Sequence, residues 1–407
     1  MFDKNDKIRY HCGGDNSIMS LNMKTLIPRF FTAPKESFFL FGPRGTGKST
    51  WLRENYANAL WIDLLNPEAF RLYTAYPERL SELVLGNPEK KTVVIDEVQK
   101  APELLEVVHS LIEKKLGIQF ILTGSSSRKL KRSGVDLLAG RALKKASHPF
   151  MAAEIGVEFD LVNSLKYGML PLVVESNSKE DTLNSYVALY MQEEVQAEGL
   201  VRSIGSFSRF LEVVSFSHGS LLNISNVARE CQVERKAVEN YVTILEDLML
   251  SHRVSVFSKR AKRAIVTHSK FYFFDAGIFR SLRPAGPLDR SEEIDGAALE
   301  GLVAQHLIAW NSYRGEKDSL FYWRTRAGSE VDFIVYGKEF FLAIEVKNTA
   351  KINYSDLRSL QSFKDDYPEA QMIFLYRGKD KLMKKGIHCI PCEQFLQKLN
   401  MGEAFKL

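Results

Sequence analysis

"ESFFLFGPRGTGKSTWLREN" (Glu36–Asn55) decides how the first part of this chain folds. An apolar run from Phe38 to Phe41 meets a glycine-rich turn and then a helix start. Gly42-Pro43-Arg44-Gly45-Thr46-Gly47-Lys48-Ser49 fits the G-x-x-x-x-G-K-[ST] pattern in full. The glycines let successive backbone N–H groups curl round phosphate oxygens at a helix N-terminus, Lys48 reaches the outer phosphates, and the Ser49 hydroxyl ligates Mg2+. The stretch from Gly42 to Thr50 is therefore expected to bind ATP. The bland alternative is a glycine-rich turn that binds nothing, and the flanking strand and helix weigh against it.

"KTVVIDEVQKAPELL" (Lys91–Leu105) supplies the partner strand. Its apolar, β-branched run suits a buried parallel strand, and it ends in Asp96-Glu97, where a ligand meets the carboxyl ends of such strands. Asp96 is expected to hold the Mg2+ shell and Glu97 to orient and deprotonate the attacking water. "ALWIDLL" (Ala59–Leu65) and "IQFILTGSSSRKL" (Ile118–Leu130) add a strand before and a strand after, which suits a parallel sheet with an inserted central strand. Ser125, at the end of the later strand, is the expected γ-phosphate sensor, against a plain strand-ending turn. Arg128, Lys129, Lys131, Arg132, Arg141, Lys144 and Lys145 then crowd round the single acid Asp136. Arg141, with Arg128 second, is the candidate for an arginine that completes a neighbouring subunit's site; the run also reads as a solvated face.

From "GMLPLVVESN" (Gly168–Asn177) onward, apolar residues recur at three- and four-residue spacing, as in packed helices. A short helix near Asn226–Cys231, a turn at Gln232, a longer helix near Arg235–Leu248 and a β-rich basic segment match a helix-turn-helix with a wing. Arg235, Lys236 and Asn240 are interleaved with Glu234, Glu239 and Glu246, whereas Lys259, Arg260, Lys262 and Arg263 lie close together. The basic hairpin is thus the better phosphate contact. Nucleic-acid contact and a purely structural role both stay open.

"GAALEGLVAQHLIAW" (Gly296–Trp310) reads as an amphipathic helix carrying Glu300, followed by "SLFYWRTRAGSEVDFIVYGKEFFLAIEVKNT" (Ser319–Thr349) and a further helix. The strand period of two puts Glu345 and Lys347 on one face, and a turn near Gly337-Lys338 would bring Asp332 beside Glu345. Two carboxylates that close need a divalent cation or a shared proton. A metal held by Asp332 and Glu345 would activate water for attack on phosphorus, with Lys347 stabilising the developing charge. The alternative is an amphipathic hairpin with a solvated polar face.

At 407 residues, with 45% hydrophobic and 26% charged residues, the chain is neither disordered nor fibrous and is long enough for two or three compact units. The expected divisions are 1–22, 23–160, 161–285 and 286–407, with 1–22 loose and Met23 an alternative start. A net charge of +5 is too small to indicate nucleic-acid binding by itself. Four scattered cysteines favour a reducing, cytoplasmic setting, and no apolar run approaches the roughly 18–20 residues of a membrane span.

Taken together, "FGPRGTGKST", "VVIDEVQK", "LTGSSSRKL", "LAGRAL", "GMLPLVV", "YMQEEV", "FSRFLEVVS", "KFYFFDAGI" and "GSEVDFIV…AIEVKN" resemble a widespread prokaryotic family of AAA+ ATPases, over the chain from about Met23 onward. The resemblance implies an α/β protein with three parts: a P-loop AAA+ ATPase domain with a parallel sheet, a helical and winged-helix middle, and a C-terminal α/β restriction-endonuclease-like domain of PD-(D/E)XK type. In that tail Glu300 takes the place of the helical acidic residue beside Asp332, Glu345 and Lys347. It also implies ATP binding and a role in DNA transactions, with the substrate open; the function expected on this basis is ATP hydrolysis in a homo-oligomer, a hexameric ring being one form, acting on DNA as a helicase, translocase or branch-processing motor. The alternative is a nucleotide-controlled signalling or assembly switch that binds a protein partner and carries a catalytically inactive nuclease fold.

Overall fold

Phe38–Phe41 (β1), Thr92–Asp96 (β3) and Gln119–Gly124 (β4) are almost wholly buried, as strands covered on both faces must be. In the computed structural model, which describes residues 26–125, 128, 130, 138, 140–191, 203–259, 268–287 and 289–401, they form the centre of a five-stranded sheet. The segment 1–22 and Lys129, Lys131, Arg132, Asp136, Arg260, Lys262 and Arg263 lie outside the described residues. With Leu60–Asp63 (β2) and Leu143–Ala146 (β5), the strand order is β2-β3-β4-β1-β5, parallel throughout. β4 therefore stands between the two strands that end in the phosphate loop and in Asp96, as the Ile118–Leu130 run implied. Helices α1 (Lys48–Asn55), α2 (Pro67–Ala75), α3 (Arg79–Gly86) and α4 (Leu104–Glu113) complete this unit. Lys144 and Lys145 of the basic run belong to the edge strand β5.

The middle of the chain is helical, with α5 (Leu161–Tyr167) and α6 (Ile204–Ser215) among its elements. Next come β6 (Ser220–Leu221), α7 (Ile224–Cys231) and α8 (Arg235–Asp247). Asn223 caps α7 by accepting from the Asn226 N–H at 3.1 Å, and Gln232, at φ 56°, ends it in the left-handed conformation. β7 (Ser251–Val256) and β8 (Lys270–Phe273) follow, and β8 pairs antiparallel with both β6 and β7. β7 then continues beside β9 (Asp318–Arg324) in parallel, so these strands join the C-terminal sheet.

The tail begins with α9 (Ala276–Leu282) and the long α10 (Ser291–Tyr313). β9, β10 (Glu330–Gly337) and β11 (Phe341–Val346) run antiparallel; α11 (Arg358–Asp366) leads to β12 (Gln371–Tyr376), which returns parallel to β11. β13 (Leu382–Lys384) and β14 (Ile387–Pro391) close the nine-stranded order β13-β14-β12-β11-β10-β9-β7-β8-β6. The structure corrects the expectation for α10: between Ala298 and Trp310 every residue except Glu300 and Ile308 is buried, so this stretch is not amphipathic. The helix lies inside a large core shared by Phe150, Met151, Leu165, Phe333 and Ile344. Within it Gln305 Nε2 donates to Phe150 O at 3.2 Å while its Oε1 is buried without a hydrogen-bond partner, and His306 Nε2 accepts from Ala152 N at 2.8 Å.

Candidate nucleotide site and carboxylate cluster

The phosphate loop emerges from β1 and enters α1, which starts after Gly47 at φ 81° with no side-chain cap. A Cβ at Gly42 would lie 2.4 Å from Ser147 O, so only glycine fits where the loop passes the chain leaving β5. Lys48 is buried and donates to Gly42 O at 2.7 Å and Pro43 O at 3.1 Å, holding its ammonium within the loop it would share with phosphate oxygens. Thr46 Oγ1 donates to Pro43 O at 2.8 Å, bracing the turn. Backbone amides at an uncapped helix start, an interior ammonium and the adjoining Ser49 fit a triphosphate with its Mg2+.

Asp96 and Glu97 arrive at the same sheet edge from β3, and both are buried. The Thr123 hydroxyl donates to Asp96 Oδ1 and accepts from Glu97 N at 3.0 Å, so β4 fixes the end of β3. Glu97 sits at φ 60°, a left-handed conformation that is strained for a non-glycine residue and common where side chains are aimed at chemistry. Gln99 Nε2 donates to Glu97 Oε2 and, at 3.3 Å, to Ser125 Oγ. The sequence reading named Ser125 but missed Gln99, because a glutamine two positions past the acidic pair carries no signal until β4 is laid beside it.

Arg29 is the other residue that went unread. Its nearly enclosed guanidinium donates to Thr46 O (2.8 Å), His148 O (2.6 Å), the Tyr313 hydroxyl (3.0 Å) and Glu154 Oε1 (3.2 Å). It thus ties the phosphate loop to the end of α10. Beside it a cleft of about 170 Å³, lined by Ile27, Trp51, Phe150, Leu172, Glu54 and Glu175 among others, opens next to the loop with mixed apolar and polar walls. Tyr186 donates to Arg44 O at 3.0 Å, and Leu172 N to Gly45 O at 3.2 Å, so the helical middle also grips the loop. Arg141 lies in the turn before β5 and pairs with Glu113 of α4, while Arg128 pairs with Asp247 at the end of α8.

In the tail, Glu300, Asp332, Glu345 and Lys347 come together. The β10–β11 register, Phe333 opposite Ile344, continues to Asp332 and Glu345, and β10 is irregular against β9 between Val331 and Ile334, where Asp332 lies. Asp332 Oδ2 accepts from Val346 N at 2.9 Å, and Lys347 Nζ contacts Glu345 Oε1 at 2.7 Å. The residue not foreseen is Lys270 of β8. Its ammonium contacts Glu300 Oε1 (2.9 Å), Glu330 Oε1 (2.5 Å) and Asp332 Oδ1 (3.0 Å), with its side chain only 1% exposed. Tyr272 donates to the same Glu300 oxygen at 2.7 Å.

Burial and then Asp332 push the Glu300 carboxyl up to about 7 and carry Glu345 well above its ordinary range. Burial opposes the charge on Lys270, yet Glu300, Tyr272, Asp332 and Glu330 together hold it well above normal. Lys347 is likewise disfavoured by burial and raised by Glu345 and Asp332. Both Asp332 oxygens are engaged, and Glu345 has one oxygen on Lys347 and one, Oε2, buried without a hydrogen-bond partner. Among the described residues no three His, Cys, Asp or Glu side chains are arranged to hold a metal ion. As arranged, this cluster does not fit a resident divalent cation.

Three family models match successive parts of the chain: an AAA domain over 34–156, a domain of unknown function (DUF8612) over 158–289 and another (DUF4143) over 295–395. None of the curated proteins matches the sequence. Among solved structures, the replication initiator DnaA bound to AMPPCP and single-stranded DNA aligns at 13% identity and TM-score 0.27, covering 53% of this chain and 83% of that one. Protein VC1899 from Vibrio cholerae aligns at 12% identity and TM-score 0.22, covering 89% of this chain and 96% of that one. Among the described residues no helix is long and apolar enough to cross a membrane. The AAA domain match supports a nucleotide-binding AAA+ ATPase, and the phosphate loop, Asp96 and Glu97 all fall within it.

Proposed function

We propose that the chain is an ATP-hydrolysing AAA+ protein that assembles as a ring and transmits its nucleotide state to a winged-helix and nuclease-like tail, through which it acts on DNA. The observation that carries this reading is Arg29, which bonds both Thr46 O in the phosphate loop and the Tyr313 hydroxyl at the end of α10. A loop that tightens on ATP pulls on the helix that bears Glu300. In this reading Ser49 and Asp96 hold Mg2+, Glu97 prepares the water, Ser125 senses the γ-phosphate, and Arg141 leaves Glu113 to reach a neighbour's site.

A second reading, a nucleotide-controlled switch that binds a protein partner, draws on the electrostatics of α8. Arg235 pairs with Glu239 at 2.9 Å, and Arg253 with Glu246 at 2.6 Å, so these cations are spent on their own acids. The deciding experiment is the ATPase rate with and without duplex, single-stranded and branched DNA at low salt, for the wild type and Lys48→Ala. Stimulation and binding in the wild type support the DNA reading; neither, with ATPase intact, supports the switch. Particle images of the ATP-bound protein test the ring.

A further inference from the structure

We propose that the Lys270 ammonium is the resident cation of the Glu300, Glu330 and Asp332 cluster, standing there in place of a divalent ion and riveting β8 to α10 and β10. Three carboxylates surround the ammonium at 2.9, 2.5 and 3.0 Å; it donates hydrogen bonds to Glu300 and Asp332, and Glu330 adds an ion-pair contact. Two hydrogen bonds and three close carboxylates leave the cation compensated although its side chain is 1% exposed, which is the condition under which a buried lysine stays charged. Tyr272, two positions on in β8, adds a donor to Glu300, so one strand sends two groups to one carboxylate. The anions come from α10 and β10 and the cation from β8, which in sheet order is separated from β10 by β9 and β7.

A divalent ion bridging Asp332 and Glu345 would compete with Lys270 for Asp332 Oδ1 and with Val346 N–H for Oδ2. The ammonium is covalently attached and always present, so the free ion is excluded. The cluster then works as an electrostatic weld between the strands that follow the helix pair and the tail. This inference rests on the cluster's own geometry and holds whether or not the chain acts on DNA.

The test is Mn2+ binding to the full-length, nucleotide-free protein, followed by electron paramagnetic resonance and by thermal melting, in the wild type, Asp332→Asn, Lys270→Ser and the double variant. The wild type should show no Mn2+ site that Asp332→Asn removes, and Mn2+ should not shift its melting through such a site. Lys270→Ser should melt lower by roughly 5–10 °C without metal, because the buried Asp332 and the half-buried Glu300 and Glu330 lose their shared cation. It should recover with Mn2+, and the recovery should vanish in the double variant. An Asp332-dependent Mn2+ site in the wild type overturns the proposal, as does a folded Lys270→Ser protein that gains none. If Lys270→Ser does not fold even with Mn2+, the comparison of wild type with Asp332→Asn decides alone.

Discussion

One side-chain nitrogen of Gln99 donates both to the Glu97 carboxylate and, at 3.3 Å, to Ser125 Oγ. The group expected to prepare the water and the group expected to sense the γ-phosphate are therefore held by a common donor. Gln99 is in this sense a positioning residue. Gln99→Ala should lower kcat for ATP hydrolysis about tenfold while the KM for ATP stays close to the wild-type value, since the phosphate loop is untouched. Glu97→Gln should lose roughly 100- to 10,000-fold in kcat and still bind ATP. Steady-state kinetics decide it: an unchanged kcat in Gln99→Ala removes the positioning role.

Tyr313→Phe tests the tie between the loop and α10. The hydroxyl accepts from Arg29 at 3.0 Å and from His148 N at 3.2 Å, so its removal strands two donors in a closed space. The expected cost is about 1–3 kcal/mol in urea unfolding. ATP should also protect amides of the 291–313 helix from hydrogen exchange in the wild type and do so less in the variant. Equal protection in both would show that the signal, if any, takes another route.

Much of this architecture was legible because its signals are local. The glycine spacing of Gly42–Ser49, the apolar runs ending at Asp96 and Gly124, and the Glu345-x-Lys347 alternation each specify their structure within a few residues. What could not be read depends on partners distant in sequence. Lys270 opens "KFYFF" as any strand-edge lysine would, and its three carboxylates lie 30 to 62 positions later. Arg29 is an ordinary basic residue until Tyr313 arrives beside it. The burial of most of Ala298–Trp310 was hidden for the same reason: Glu300, Gln305 and His306 read as polar positions, yet their partners are Lys270, Phe150 and Ala152.

Asp275, the acid in "KFYFFDAGI", has a structural explanation that is equally non-local. It is fully buried; Oδ1 accepts from Gly277 N (2.8 Å) and Ile278 N (3.1 Å) at the start of α9, and Oδ2 from Met169 N at 2.7 Å. One carboxylate thus caps a helix and pins the chain after α5. Asp275→Ala should cost about 2–4 kcal/mol, more than an exposed cap, because three buried donors are left bare. A loss below about 1 kcal/mol in chemical denaturation would mean that water replaces the carboxylate.

Buried neutral histidines set the response to acid. Burial drives His306 down to about 4 and His218 to about 3. Their hydrogen bonds require the uncharged ring: His306 Nε2 accepts from Ala152 N at 2.8 Å, and His218 Nδ1 accepts from Phe273 N at 3.1 Å. The folded-state pKa lies below the unfolded value of about 6.5, so unfolding takes up protons; the stabilisation is whole above about pH 6.5 and is lost as pH falls toward 4. Glu300, raised to about 7, and Asp275, raised to about 6, act in the opposite sense and lose stabilisation as pH rises through those values. The histidine contribution is therefore isolated by difference. His306→Gln should be less stable than the wild type at pH 7.5, and the gap should narrow by up to about 3 kcal/mol by pH 4.5. Unfolding curves at both pH values provide the check, and a gap that stays constant or widens on acidification would show that His306 is not held neutral by its burial and by the Ala152 amide.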